Sequence, residues 1–231
     1  MPRRKLFVTR LLPYHVTARS NNREWFYLPA PIVHDILAEQ LFVASARYGF
    51  VLNAAVLMSN HFHLIAQFFD APVSVAMRHV LTETSRKIQK YTGRINHVFG
   101  SRYKWSVLDS AYAVAFVYKY VLRNPVRASL CARVEDWPFS SLQFPPAHPF
   151  PVAEGIGPLW RSVPRESDLR LAWLNTPPRS REEEELIRRG LRRETFALSR
   201  SNSDRELVQV LCDEYGPEPV NTRDLLGPKG D

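Results

Sequence analysis

Two histidines stand two residues apart in the apolar stretch Val56-Leu57-Met58-Ser59-Asn60-His61-Phe62-His63-Leu64-Ile65-Ala66. In a strand, side chains at i and i+2 share a face, so His61 and His63 lie side by side and Phe62 turns to the opposite face. Two imidazoles on a buried strand are costly without a partner. That partner is either a metal ion or a hydrogen-bonding group of the core, and the spacing alone does not decide between them. Tyr120 and Asn124, about sixty residues on, are four apart and share a face if both are helical. Two imidazoles and an amide oxygen leave open positions on Mg²⁺ or Mn²⁺, ions that keep water and phosphate oxygens. A metal so held would polarise a scissile phosphate, and the tyrosine oxygen could attack it. A zinc hydrolase would want a third His or a carboxylate and an acid–base Glu. No Glu lies in either block.

These residues need a scaffold. Tyr14-His15-Val16-Thr17-Ala18-Arg19 is β-branched and aromatic and reads as a first strand, followed by the turn-like Ser20-Asn21-Asn22-Arg23. His15 could be a further ligand, but a lone strand histidine reads as structural. Apolar residues from Ile32 to Ala44 recur at helical spacing between Pro31 and Gly49. Two apolar runs, Phe50 to Met58 and Asn60 to Phe68, read as strands joined near Ser59-Asn60. Val73 to Tyr91 is helical, with Arg78, His79, Arg86, Lys87 and Lys90 along it. In Arg102-Tyr103-Lys104-Trp105 basic and aromatic residues alternate, so a strand would put both cations on one face. Ala111 to about Leu122 is a helix that ends near Asn124-Pro125, because the residue before proline disfavours the α region.

The chain divides by charge. Residues 1–150 hold 18 Lys and Arg against 8 Asp and Glu, and residues 151–231 hold 13 against 15. The basic excess therefore sits with the histidine pair and points to nucleic acid. A Pro-rich linker is expected over 146–165, then a helical extension over 166–231 with a loose tail. Cys131 and Cys212 form no CxxC pattern, which argues against a thiolate zinc site. The basic N-terminus lacks the apolar core of a signal peptide and no run is long enough to span a membrane, so a cytoplasmic protein is expected. No P-loop is present to bind a nucleotide cofactor.

The blocks Pro13-Tyr14-His15-Val16-Thr17, Asn21-Asn22-Arg23, Val56 to Leu64, Phe99-Gly100-Ser101-Arg102-Tyr103-Lys104, Tyr120-Val121-Leu122-Arg123-Asn124-Pro125-Val126-Arg127-Ala128 and Asp136-Trp137-Pro138-Phe139-Ser140-Ser141 occur in this order. Their order and content resemble the HUH single-tyrosine transposases, and within them the bacterial REP-associated tyrosine transposases. The resemblance spans about residues 5–145, within an expected catalytic domain of 1–145. It implies an α+β fold, a small antiparallel sheet with helices on one side (ferredoxin- or RRM-like), before the mainly helical C-terminal extension. It implies Tyr120 as nucleophile, His61, His63 and Asn124 as ligands of Mg²⁺ or Mn²⁺, and single-stranded or hairpin DNA as partner. Arg102, Lys104, Arg123 and Arg127 are candidates for its phosphates. The implied reaction is transesterification through a 5′-phosphotyrosine without ATP, in DNA transposition or mobilisation of repeated palindromes. A domesticated hairpin-binding protein without catalysis is the alternative, and both monomer and homodimer stay open. Tyr118, a rival nucleophile, is turned about 200° from Tyr120 on a helix. Ser59 stands where many relatives carry Pro, and Ser20 and Ser129 where they carry Gly. For the pair to act with the tyrosine, the helix ending at Asn124 must cross the face that carries both histidines.

Overall fold

A computed structural model of the chain describes residues 8–143, 152–155, 157–198 and 208–209. Residues 1–7 of the basic N-terminus, Pro145, Pro146, Pro149 and Pro151, and Cys212 and the tail of the expected helical extension lie outside the described residues. The elements run β1 (Tyr14–Arg19), α1 (Ala30–Tyr48), β2 (Phe50–Leu57), β3 (His61–Phe68), α2 (Val73–Thr92), β4 (Lys104–Val107), α3 (Ala111–Leu122), α4 (Asn124–Arg127), α5 (Ser167–Asn175) and α6 (Arg181–Gly190).

The four strands form one antiparallel sheet in the order β2-β3-β1-β4. Alternation along each strand sorts its side chains onto two faces. Val16, Phe62, Leu64 and Phe68 face one way, into a core with Val33, Leu37 and Leu41 of α1 and Ala76, Met77 and Val80 of α2. Val56 and Ile65 face the other way, against Ala113, Val114, Val117 and Val121 of α3. The fold class is as expected, but the helices are not all on one side: α1 and α2 cover one face and α3 covers part of the other. The reason is visible in α3, where Ala113 to Tyr118 are all buried. A helix apolar all round needs cover on both sides. The sheet gives one side, and the second comes from downstream residues, including Trp160, Val163, Leu174, Leu186, Ile187 and Phe196.

The same downstream chain meets both outer strands. Ala153 N–H donates to Leu52 O at 2.9 Å on β2. On β4, Val107 N–H donates to Glu194 O at 2.8 Å and Phe196 N–H to Val107 O at 2.9 Å.

Element ends follow local chemistry. Gly49 closes α1 at φ +59°, where a Cβ would collide with the Asp70 side chain. Ser110 caps α3, its hydroxyl accepting from Ala113 N–H at 3.3 Å. Proline at 125 does not stop the helical path at once. Arg123 interrupts it at φ −83°, ψ −3°, and Asn124 opens the short α4. Ser129 sits at φ +56°, the left-handed region that suits the glycine of relatives, whereas Ser20 has φ −58° and needs none.

Candidate nucleic-acid interface and metal site

Register decides what lies beside the histidine pair. On β1, Arg19 pairs with His61 and Thr17 with His63 of β3. Thr17 also pairs with Lys104 of β4, and His15 with Ser106. Cross-strand partners share a face. The α3 face of the sheet therefore has an apolar part under the helix and a polar part carrying Thr17, Arg19, His61, His63 and Lys104. The polar part floors an open cleft of about 1170 Å³ that is also lined by Asn21, Arg23, Tyr120 and Arg127.

Each histidine is held through one ring nitrogen. His61 Nδ1 lies 2.7 Å from Asn60 Oδ1 and donates to it. The Asn60 amide in turn donates to Arg23 O at 2.7 Å, beside two left-handed residues, Asn22 and Arg23 (φ +52° and +61°). Asn60 thus fixes an imidazole and a loop whose backbone is otherwise unfavourable. His63 Nδ1 lies 2.8 Å from His15 Nε2, and the two rings stack with centroids 5.1 Å apart. In both histidines Nε2 is left available. Burial, then the positive charge of Arg19 and Arg127, pulls His61 down to about 4. Burial alone pulls His15 down to about 3. His63 is held well below the ordinary value by burial, with His15, His61, Arg127 and Arg19 adding to it. At neutral pH all three are neutral, the form that ligates metal.

The tyrosine reaches this floor from α3. The Tyr120 ring stands edge-on to His63 with centroids 6.0 Å apart, and the Arg127 guanidinium lies 4.6 Å from its centre. Tyr118 points away, stacked on Trp173 and edge-on to Trp160. Asn124 is buried, and its amide is engaged twice. Its NH₂ donates to Tyr120 O at 3.0 Å, and its oxygen accepts from Arg127 at 2.6 Å. The imidazole pair therefore fits a divalent ion, with neutral rings, one nitrogen each to spare and a second layer that orients them. The Asn124 oxygen accepts from Arg127, and Asn124 is buried and not part of the cleft lining. Among the described residues no group of three His, Cys, Asp or Glu side chains is arranged to hold a metal.

The four phosphate candidates separate. Lys104 and Arg127 line the cleft. Arg102 is exposed, precedes β4 and is not part of the cleft lining. Arg123 turns the other way and donates to Leu174 O of α5 at 2.7 Å. The expected sharing of a face by Arg102 and Lys104 fails because the strand begins only at Lys104. Sequence reasoning gave no role to Arg19, Arg23 or Asn60. Only the Asn adjoining the histidine pair and the Arg ending β1 were visible signals. It also read His15 as structural, because nothing in the sequence states the β1–β3 register.

A sheet bearing a histidine pair beneath a helical tyrosine, in a basic cleft, is a class of site suited to an anionic, phosphate-bearing partner. The comparisons narrow the class. The profile of the IS200-like transposase family matches residues 8–124, and the chain belongs to that family, whose activity is DNA transposition. A solved structure of a REP-associated tyrosine transposase bound to a REP hairpin superposes with a TM-score of 0.54 at 18% identity, covering 69% of this chain and 93% of that one. A putative transposase from Deinococcus radiodurans covers 52% of this chain and 95% of its own at 16% identity and a TM-score of 0.38. Comparison with curated proteins finds no match. Among the described residues no helix is long and apolar enough to cross a membrane.

Proposed function

We propose that this transposase is an endonuclease and strand transferase for single-stranded DNA presented by a hairpin. The observation that carries the reading is the Tyr120 ring set edge-on against His63 at 6.0 Å within a basic cleft. The hairpin specificity draws on the hairpin-bound relative of similar fold. Tyr120 Oη attacks the scissile phosphorus and loses its proton to solvent. The bond from phosphorus to the 3′ oxygen breaks, that oxygen takes up a proton, and a 5′-phosphotyrosine remains. A 3′-hydroxyl later attacks this link, restores a phosphodiester and releases the tyrosine. One bond is exchanged for a similar one at each step, so no nucleotide cofactor is required.

His61 and His63 would hold Mg²⁺ or Mn²⁺ through Nε2, and Asn124 would join them once its side chain turns into the cleft. When bound, the ion supplies Lewis-acid polarisation of the phosphate. Arg19, Arg127 and Lys104 bind and orient the phosphate, and Asn60 and His15 keep the imidazoles in the tautomer that presents Nε2. The test is an adduct assay on a panel of hairpins with single-stranded extensions, in Mg²⁺ or Mn²⁺. Wild type should give a covalent protein–DNA species resistant to denaturation. Tyr120→Phe should give none while binding the same DNA, and an adduct surviving that change would move the nucleophile elsewhere. The alternative of a hairpin-binding protein without cleavage is favoured by one observation, the burial of Asn124 outside the cleft lining with its oxygen bonded to Arg127. Binding without any adduct, in wild-type protein loaded with metal, would decide for it.

A further inference from the structure

The cleft has a wall that the catalytic residues do not explain. α6 lies downstream of the segment matched by the family profile. Its buried face, Glu183, Leu186, Ile187 and Gly190, is turned inward, with Leu186 and Ile187 in the apolar cluster that includes α3. The opposite stripe, Arg181, Glu184, Glu185 and Arg188, follows helical spacing, and together with Arg192, in the turn just after the helix, it lines the same cleft as His61 and Tyr120. Ser180 fixes the start of the helix, its hydroxyl accepting from Glu183 N–H at 3.3 Å. The stripe is therefore presented by a capped helix packed on the one that carries Tyr120.

The charges facing each other across the cleft are mostly alike. Arg19 senses Arg23, Arg127 and Arg188 as positive neighbours, so β1, the loop after it, α4 and α6 bring guanidinium groups into electrostatic reach of one point. Such convergence is unfavourable unless an anion occupies it. Arg188 is countered by Glu185 at 2.7 Å, which also lies 3.9 Å from Arg192. These side chains are 43% to 69% exposed, and exposed pairs of this kind are worth about 0–1 kcal/mol, so a phosphate can replace the carboxylate at little cost. Phosphodiester oxygens repeated along a DNA strand can meet Arg188 and Arg192 separately, which a single small anion does not.

We propose that Arg188 of α6 and Arg192, in the turn just after it, form a second phosphate-binding wall, which grips the single-stranded extension of the DNA while β1, β4 and α4 hold the scissile phosphate. This inference rests on the single-strand reading of the preceding subsection. The wall gives the downstream chain a binding role in addition to covering α3. It lengthens the bound strand beyond the reacting phosphate and contributes no chemistry of its own.

The experiment is fluorescence anisotropy of a labelled hairpin, with and without a single-stranded extension, across a salt series. Each lost contact to a single strand lowers the slope of log affinity against log salt by about 0.7. The Arg188→Ala/Arg192→Ala double variant should therefore lose about 1.4 of slope on the extended hairpin and nothing on the blunt one. Arg188→Lys, which keeps the charge, should retain the wild-type slope. Arg86→Ala, an exposed change on α2 behind the other face of the sheet, should match wild type on both. An unchanged slope in the double variant overturns the wall and leaves the single-strand reading standing. An equal loss on the blunt hairpin overturns it too, since the stripe would then hold the duplex. Failure of the wild type to bind either DNA overturns the single-strand reading and the wall together.

Discussion

The two faces of the sheet use the same strands for opposite ends. Toward α1 and α2, every second residue is apolar and buried, and Phe62, Leu64 and Val16 are at most 1% exposed. Toward α3, the helix covers only part of the face, and the remainder carries Arg19, Lys104 and three imidazoles. One face is continuous because two long helices close it. The other is interrupted because α3 is short and its path is broken at Arg123, leaving the floor of the cleft open. Site and core are thus separated by no more than the thickness of a strand, and consecutive residues 61, 62 and 63 alternate between them.

Substitutions at those consecutive residues test the contrast most strongly. Phe62→Ala should cost about 3–5 kcal/mol of stability in urea unfolding while any adduct formation persists under folding conditions. His61→Ala should abolish adduct formation and shift stability by less than about 1 kcal/mol. Similar losses of stability in both would make the polar region a core after all. Next comes acid. His15, His61 and His63 are neutral when folded but take protons near the ordinary 6.5 once unfolded. Their contribution to stability is therefore complete above pH 6.5. It falls as pH drops from 6.5 toward about 4 for His61 and about 3 for His15, by about 1.4 kcal/mol per pH unit for each histidine fully engaged. Urea midpoints of the metal-free protein between pH 8 and pH 4 would reveal it, and a flat profile would show that these rings are more solvated than their burial implies. Asn60→Ala should cost about 1 kcal/mol, through the lost bonds to His61 and to Arg23 O, and weaken Mn²⁺ binding measured calorimetrically. The smallest effect belongs to the exposed Glu83–Arg86 pair on α2, where Arg86→Ala should stay within about 0.5 kcal/mol in the same unfolding assay.

Much of the contrast was legible beforehand. The periodicity placed β1 at residues 14–19 and put His61 and His63 on one face with Phe62 on the other, because strand geometry has only two faces to choose from. The helix carrying Tyr120 was equally plain. Its crossing over the histidine face was required by the split set of site residues, with no local signal to fix it. What the sequence withheld needs contacts between distant residues. His15 beside His63 follows from the β1–β3 register, which no local signal states. Arg123 and Arg127 are four apart and equally basic, yet the interruption after Leu122 sends one toward α5 and the other over Tyr120. The stripe on α6 falls within the expected helical extension, and only packing on α3 reveals that it faces the cleft. The all-round apolarity of α3 was the one local hint that downstream chain would be needed.

Strand edges carry a further consequence. An exposed edge strand offers unpaired N–H and C=O groups to any neighbouring chain. Here Ala153 meets β2, and Glu194 and Phe196 meet β4, so one downstream segment guards each margin of the sheet. Cutting the chain after the family-matched segment would leave two adhesive margins as well as the bare outer side of α3. The downstream chain in this sense acts as a built-in chaperone, keeping a DNA-processing sheet from adding strands of its own kind.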